Sequence, residues 1–279
     1  MVNLSRIGTT LRQTFSSQVT SFPYLSGDTF RVGSDFAFSD VGDFQRARNW
    51  DEIRVVFCKS DALEIFLSEK PTLLNPRVLL SGNSDFDFHS IDETNFGGIR
   101  AIFLQNSFIS DNKRIFTLPI GLENAEYASN GRISLYSKKI TLNKLNSVQV
   151  GPFGNTHYER NYLSNLVSDS QISCTKFRVS TRKHIRNIDA HQYVACPRGN
   201  GVDTHRVWET LYRGSSPVLL RNSWSESIQN MGFPVNLIED WKDIRSVTSQ
   251  KNTLNPLQIR STSMLWMQYW QEKITNFIE

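Results

Sequence analysis

Four short, unbroken apolar runs punctuate the first 120 residues, and each stops at small or polar residues. Arg54-Val55-Val56-Phe57-Cys58 ends at Lys59-Ser60-Asp61, and Arg77-Val78-Leu79-Leu80 ends at Ser81-Gly82-Asn83-Ser84-Asp85. Arg100-Ala101-Ile102-Phe103-Leu104 gives way to Gln105-Asn106, and Ile115-Phe116-Thr117-Leu118-Pro119-Ile120 stops at Gly121. A run with no polar alternation is a strand covered on both faces, the signature of a parallel sheet. Ala62 to Leu67 reads as a helix between two such strands, so the pattern predicts an open, doubly wound α/β sheet.

The pattern restarts after about residue 145. Ser147–Val150, Tyr193–Cys196, Pro217–Leu220 and Phe233–Ile238 read as strands, with Tyr158 to Leu166 as a helix. Pro256 to Glu279 reads as helical, anchored by Leu265, Trp266, Tyr269, Trp270 and Ile274. Two Rossmann-like domains are expected, residues 1–145 and 146–279, the second ending in the C-terminal helix. At 279 residues the chain is long enough for both cores.

Composition narrows the class. No stretch approaches ~18 consecutive apolar residues, so no membrane-spanning helix is expected. The N-terminal Met1-Val2-Asn3-Leu4-Ser5-Arg6 lacks the apolar core of a signal peptide. Cys58, Cys174 and Cys196 are too far apart for a metal-ligand pair or a disulfide framework, which predicts a reduced, cytoplasmic protein. The net charge of +4 is a mild excess with two local concentrations. These are Lys138-Lys139 with Lys144, and Arg178, Arg182, Lys183 and Arg186 with His184. The second suits either a diphosphate or an anionic membrane, so peripheral membrane association is open. Nucleic-acid binding needs a denser basic stripe with interleaved aromatics and is not expected.

The most informative stretch runs from Cys196 to Glu209 and reads as strand, glycine-containing turn, then helix. Gly199 and Gly201 allow positive φ and close approach of a ligand to the backbone. Asp203 is placed as an N-cap and Gly214 as the C-terminal stop. A helix N-terminus offers free N–H groups and partial positive charge to a phosphate, and Arg198 and Arg206 add charge-assisted contacts. Glu209, three residues after Arg206, shares its helix face, where a carboxylate can accept from two ribose hydroxyls. The stretch has no Walker lysine and no full dinucleotide fingerprint. Asp203 as a simple cap, and Glu209 as a partner of Arg206 or Arg213, remain alternatives.

Residues Pro197 to Gly214, followed by Pro217-Val218, strongly resemble a motif of exostosin-like glycosyltransferases of bacterial and viral type. Phe103-Leu104-Gln105-Asn106 and Leu118-Pro119-Ile120-Gly121-Leu122-Glu123-Asn124 form a weaker second match, so the resemblance covers roughly residues 75 to 245. It implies a GT-B fold, two Rossmann-like domains facing across a cleft, the C-terminal one holding a nucleotide-sugar donor. It implies a ribose contact for Glu209, and a diphosphate approached by Arg198, Gly199, Asn200, Gly201, Asp203, Thr204, His205 and Arg206. No bound metal and no cofactor beyond the donor substrate are expected, since helix dipoles and basic side chains stabilise the leaving group. Many such enzymes carry two glutamates eight residues apart, but the second position here is Pro217.

For the acceptor side, Asp85, Asp87 and His89 follow a strand end, where open α/β sheets place ligands, and Asp85 ranks first as catalytic base. An Asx-type turn at Asn83-Ser84-Asp85 explains the same residues as loop capping. Asn106, Glu123, Asn124, Arg160 and Arg182 are expected to line the cleft, with His157 a further candidate. The expected activity is sugar transfer to a glycan or other hydroxyl acceptor, in surface-polysaccharide synthesis. The alternative is a non-catalytic nucleotide- or sugar-binding subunit.

Overall fold

A computed structural model describes residues 20–46, 49–127, 130–167, 172–249 and 254–279; the stretch Met1–Arg6 lies outside the described residues. The chain forms two compact units, residues 1–131 with 266–279, and residues 132–265. The division falls near residue 131 rather than 145, and the last fourteen residues join the first unit rather than the second. Each unit is built on a five-stranded, all-parallel sheet with helices.

In the first unit the strands are β1 (Phe36–Phe38), β2 (Val55–Lys59), β3 (Val78–Gly82), β4 (Ala101–Leu104) and β5 (Ile115–Thr117). They lie side by side in chain order. Pairing aligns Phe36, Val56, Leu79, Ile102 and Ile115 in one row. The next row is Ala37, Phe57, Leu80, Phe103 and Phe116, which period 2 turns to the opposite face. The first row packs with Leu63 and Phe66 of the helix Leu63–Glu69, and with Leu74, Phe88, Phe96 and Ile99.

A parallel sheet in unbroken chain order, joined by right-handed crossovers, carries every connection on one face. The doubly wound expectation therefore does not describe this sheet. Its second face is covered by elements outside the strand series. Trp270, on the C-terminal helix Met267–Thr275, lies edge-on to Phe30 at 5.9 Å and to Phe103 at 6.3 Å. Phe277 reaches Phe103 at 6.2 Å and Phe116 at 5.4 Å. The 256–279 region is also not one helix: Pro256–Arg260 belongs to the second unit, and Met267–Thr275 to the first.

The second unit holds β6 (Leu145–Val150), β7 (Ser173–Cys174), β8 (His191–Ala195), β9 (Ser216–Leu220) and β10 (Asn236–Ile238). Their order across the sheet is β10-β9-β8-β6-β7. The chain leaves β6 for β7 on one side and comes back to β8 on the other, so this sheet does reverse direction. Val148, Val150, Tyr193, Ala195 and Val218 form one face of its core with Trp241, Ile244 and Val247. The last expected strand is shorter than its apolar run, beginning at Asn236 after Pro234, a residue with no N–H to give the ladder.

Candidate functional site

In an open parallel sheet, ligands bind beyond the carboxyl ends of the strands where the strand order reverses. That point in the second unit lies between β6 and β8. The turn after β6 is Gly151-Pro152-Phe153, and the turn after β8 runs from Cys196 to Thr204. Gly151 has φ 70°, and a Cβ there would sit 2.5 Å from the Thr175 carbonyl oxygen. No other residue fits that corner without strain.

Two arginines tie these turns together. Arg206 donates from its two terminal nitrogens to the carbonyls of Gly151 (3.1 Å) and Pro152 (2.5 Å), with its guanidinium 4.8 Å above the Phe153 ring. Arg160, on the helix Tyr158–Leu166, donates from Nε to the Arg198 carbonyl at 2.8 Å. Arg198 reaches the Asn200 carbonyl at 2.9 Å. Burial, and for Arg160 the charge of Arg206 beside it, hold both Arg160 and Arg206 below the ordinary arginine range. The crevice thus concentrates positive charge with little solvent to screen it.

Neither Gly199 nor Gly201 adopts the left-handed backbone that the sequence suggested. Gly199 instead lies close to Arg160: a Cβ there would sit 2.8 Å from a terminal nitrogen of that flexible side chain. The helix that follows spans His205–Tyr212, and its N-cap is Thr204, one residue later than expected. Asp203 is buried and accepts from the Trp208 indole N–H at 2.8 Å. Thr204 makes no side-chain capping bond, and its buried Oγ1 has no partner among the described residues. Gly214 has φ 68° just past the C-cap Arg213, as the sequence predicts.

Glu209 faces inward from this helix and is 5% exposed. Its Oε1 accepts from the Tyr136 hydroxyl at 3.1 Å, and its Oε2 lies 2.9 Å from His184 Nε2. Burial alone would raise its pKa. The His184 hydrogen bond, and charge at His184, Arg206 and His205, outweigh that and hold it at about 2. The carboxylate is therefore ionised at any physiological pH. Glu209 pairs with neither Arg206 nor Arg213 through a hydrogen bond. Arg213 instead binds Asp189 of the helix Thr181–Ala190 with two nitrogens, at 2.9 and 2.7 Å.

Sequence reasoning missed His184 and Tyr136 as partners of Glu209. They come from separate elements, 25 and 73 residues away, and only tertiary packing brings them together. Of the expected lining residues, Arg160 stands in the crevice, whereas Arg182 is exposed on the helix Thr181–Ala190. His157 caps the helix Tyr158–Leu166, its Nδ1 accepting from the Glu159 N–H at 3.4 Å. Buried Cys196 has its thiol pushed up to about 12, chiefly by desolvation, so it is no thiolate nucleophile.

The remaining candidates lie in the first unit. Asp85, Asp87 and His89 follow β3, with His89 stacked on Phe108 at 4.7 Å and the Ser84 hydroxyl accepting from the Phe86 N–H at 3.2 Å. Asn106, buried with φ 52°, donates to the Ser84 carbonyl at 2.9 Å, and its own carbonyl accepts from Phe88 at 2.9 Å. Asn124 accepts from the Asp28 N–H at 2.9 Å and donates to Asn83 Oδ1 at 3.3 Å. These two asparagines hold the loops at the carboxyl edge of the first sheet. Glu123 Oε2 is buried with no partner among the described residues. No group of three or more His, Cys, Asp or Glu among the described residues could hold a metal ion.

No protein-family model matches this chain, and no curated protein matches it.

Proposed function

We propose that the chain is a glycosyltransferase of GT-B type, moving a sugar from a nucleotide-sugar donor to a hydroxyl acceptor without a bound metal. The observation that carries the reading is the pair of arginines at the turns that follow β6 and β8. Arg160 and Arg206 stand there beside the N-terminus of the helix His205–Tyr212, with the ionised Glu209 one turn inside. Two phosphates with a ribose next to them match that order of groups: cations and a helix N-terminus for the diphosphate, and for vicinal hydroxyls the lone pairs of a carboxylate that Tyr136 and His184 hold in place. The resemblance of residues 197–214 to exostosin-like enzymes supports the same assignment.

In the proposed reaction the acceptor oxygen attacks the anomeric carbon of the donor. The bond from that carbon to the phosphate oxygen breaks, and the nucleotide departs with the electron pair. The acceptor proton passes to a general base, the role for which Asp85, and after it Asp87 and His89, are the candidates from the sequence. Arg160, Arg198 and Arg206 stabilise the charge that grows on the leaving phosphate. His184 and Tyr136 act through Glu209 as positioning residues. A surface glycan is the proposed acceptor.

The test is release of free nucleotide from UDP-, GDP- and CMP-linked sugars, with and without a mixture of oligosaccharide acceptors. The proposal expects one nucleotide class to turn over, with kcat/KM falling at least ~100-fold in Arg206→Ala, the loss of about 3 kcal/mol of leaving-group stabilisation. Binding of a nucleotide with no turnover of any donor would leave the non-catalytic binding reading in its place.

A further inference from the structure

The helix Thr181–Ala190 has two working faces. Ile185 and Ile188 are buried and His184 points inward to Glu209, while Arg182, Lys183 and Arg186 are exposed on the other side. Just before it, Lys176, Phe177 and Arg178 are exposed as well, Phe177 to 82%. None of these five cations makes an ion pair among the described residues.

The charge arithmetic sharpens this. Residues 176–186 hold five Lys and Arg and no Asp or Glu, against +4 for the whole chain, so the rest of the chain carries a net −1. The protein's excess positive charge thus gathers on exposed residues of this helix and of the segment just before it. A solvated helix normally intersperses acids with its cations, but the one acid of this helix, Asp189, is taken by Arg213.

We propose that this face docks on an anionic lipid bilayer, with the five cations against the headgroups and Phe177 at the acyl boundary. Charge complementarity selects an anionic surface, and the lone apolar ring between Lys176 and Arg178 selects a bilayer over a nucleic acid. A single-strand binder stacks successive bases on several aromatics, whereas an interfacial anchor needs an apolar residue set among cations. Because His184 of the same helix holds Glu209, docking would fix the candidate donor site relative to the membrane. The proposal does not depend on nucleotide binding or on catalysis.

The experiment is co-sedimentation of the full chain with phosphatidylcholine vesicles, with and without about 30 mol% phosphatidylglycerol. Binding is expected only with the anionic lipid and should fade as salt rises from ~0.1 M to ~1 M, where the Debye length falls from about 10 to about 3 Å. Arg182→Gln with Lys183→Gln should lower the partition coefficient about 25-fold, roughly fivefold per cation. Phe177→Ser should weaken binding by an amount that salt does not change. Equal binding to neutral and anionic vesicles, or none to either, would overturn the proposal, as would tighter binding to single-stranded RNA than to the vesicles. The lipid and salt dependence of the unaltered protein decides the matter even if a variant fails to fold.

Discussion

Arg213 is buried at 2% exposure and uses every donor it has. Nε and one terminal nitrogen grip the Asp189 carboxylate at 2.9 and 2.7 Å, and the other three N–H groups reach the carbonyls of Leu135, Lys138 and Lys139 at 3.0 to 3.1 Å. One side chain thereby fastens residues 135–139 and the helix Thr181–Ala190 to the helix His205–Tyr212, the elements that supply Tyr136, His184 and Glu209. Arg213→Met keeps the apolar stem and strands Asp189, with Lys144 at 3.9 Å left as its one cationic neighbour among the described residues. Breaking a buried pair from one side costs about 3–5 kcal/mol, and each carbonyl left dry adds about 1 kcal/mol. Rehydration of the half-buried carbonyls recovers part of that, so about 4 kcal/mol is expected. Arg213→Lys keeps charge but offers three donors for five acceptors, and about 2 kcal/mol is expected. A chain with two units need not unfold in one step, so the loss is best read by hydrogen exchange of amides in β8 and β9. A loss below ~1 kcal/mol for Arg213→Met, or a Lys variant as stable as the original, would refute the reasoning.

Three further outcomes are expected. Glu209 has a folded pKa of about 2 against an ordinary value of 4.5, so its ionisation stabilises the fold above pH 4.5 and that contribution is lost as pH falls toward 2. Glu209→Gln should accordingly be about 3 kcal/mol less stable at pH 7, with the gap closing through that window in acid denaturation. Lys144 is held at about 8, below 10.5, by burial first; Asp189 opposes the shift and Arg213 adds to it. Folding therefore favours its neutral form, and the stability of the original protein minus that of Lys144→Met should rise by up to about 3 kcal/mol between pH 8 and 10.5. Trp270→Ala removes the largest side chain on the second face of the first sheet, which should cost that unit about 3–5 kcal/mol while β8 and β9 keep their exchange protection.

The parallel strands were legible because a strand covered on both faces must be apolar at every position. Val55 to Cys58 and Val78 to Leu80 announce themselves that way. Phe36–Phe38 and Ser173–Cys174 did not, since three and two residues carry no period. The turn after β8 was located correctly but explained wrongly in part. Gly199 lies close to Arg160 without reaching positive φ, and Asp203 accepts from Trp208 while Thr204 takes the N-cap position. Arg160 arrives from another helix, which a local reading does not contain, whereas Trp208 lies five residues from Asp203 on the same stretch. Glu209 stood out by its place on the helix, yet its ionisation rests on His184 and its orientation on Tyr136, and neither spacing marks a motif. The assignment of the C-terminal helix to the first unit follows from strand order: a sheet wound in one direction needs a cover for its other face.

The central claim is a nucleotide site between β6 and β8, and thermal denaturation with UDP, GDP and CMP tests it most directly, repeated on Glu209→Ala. At ~100 times its dissociation constant a ligand adds about 2.7 kcal/mol to stability, a clear rise in melting temperature. The account predicts that one nucleotide stabilises the original protein and that the variant loses the response. A protein that none of the three stabilises, or a variant that responds as fully as the original, would contradict it.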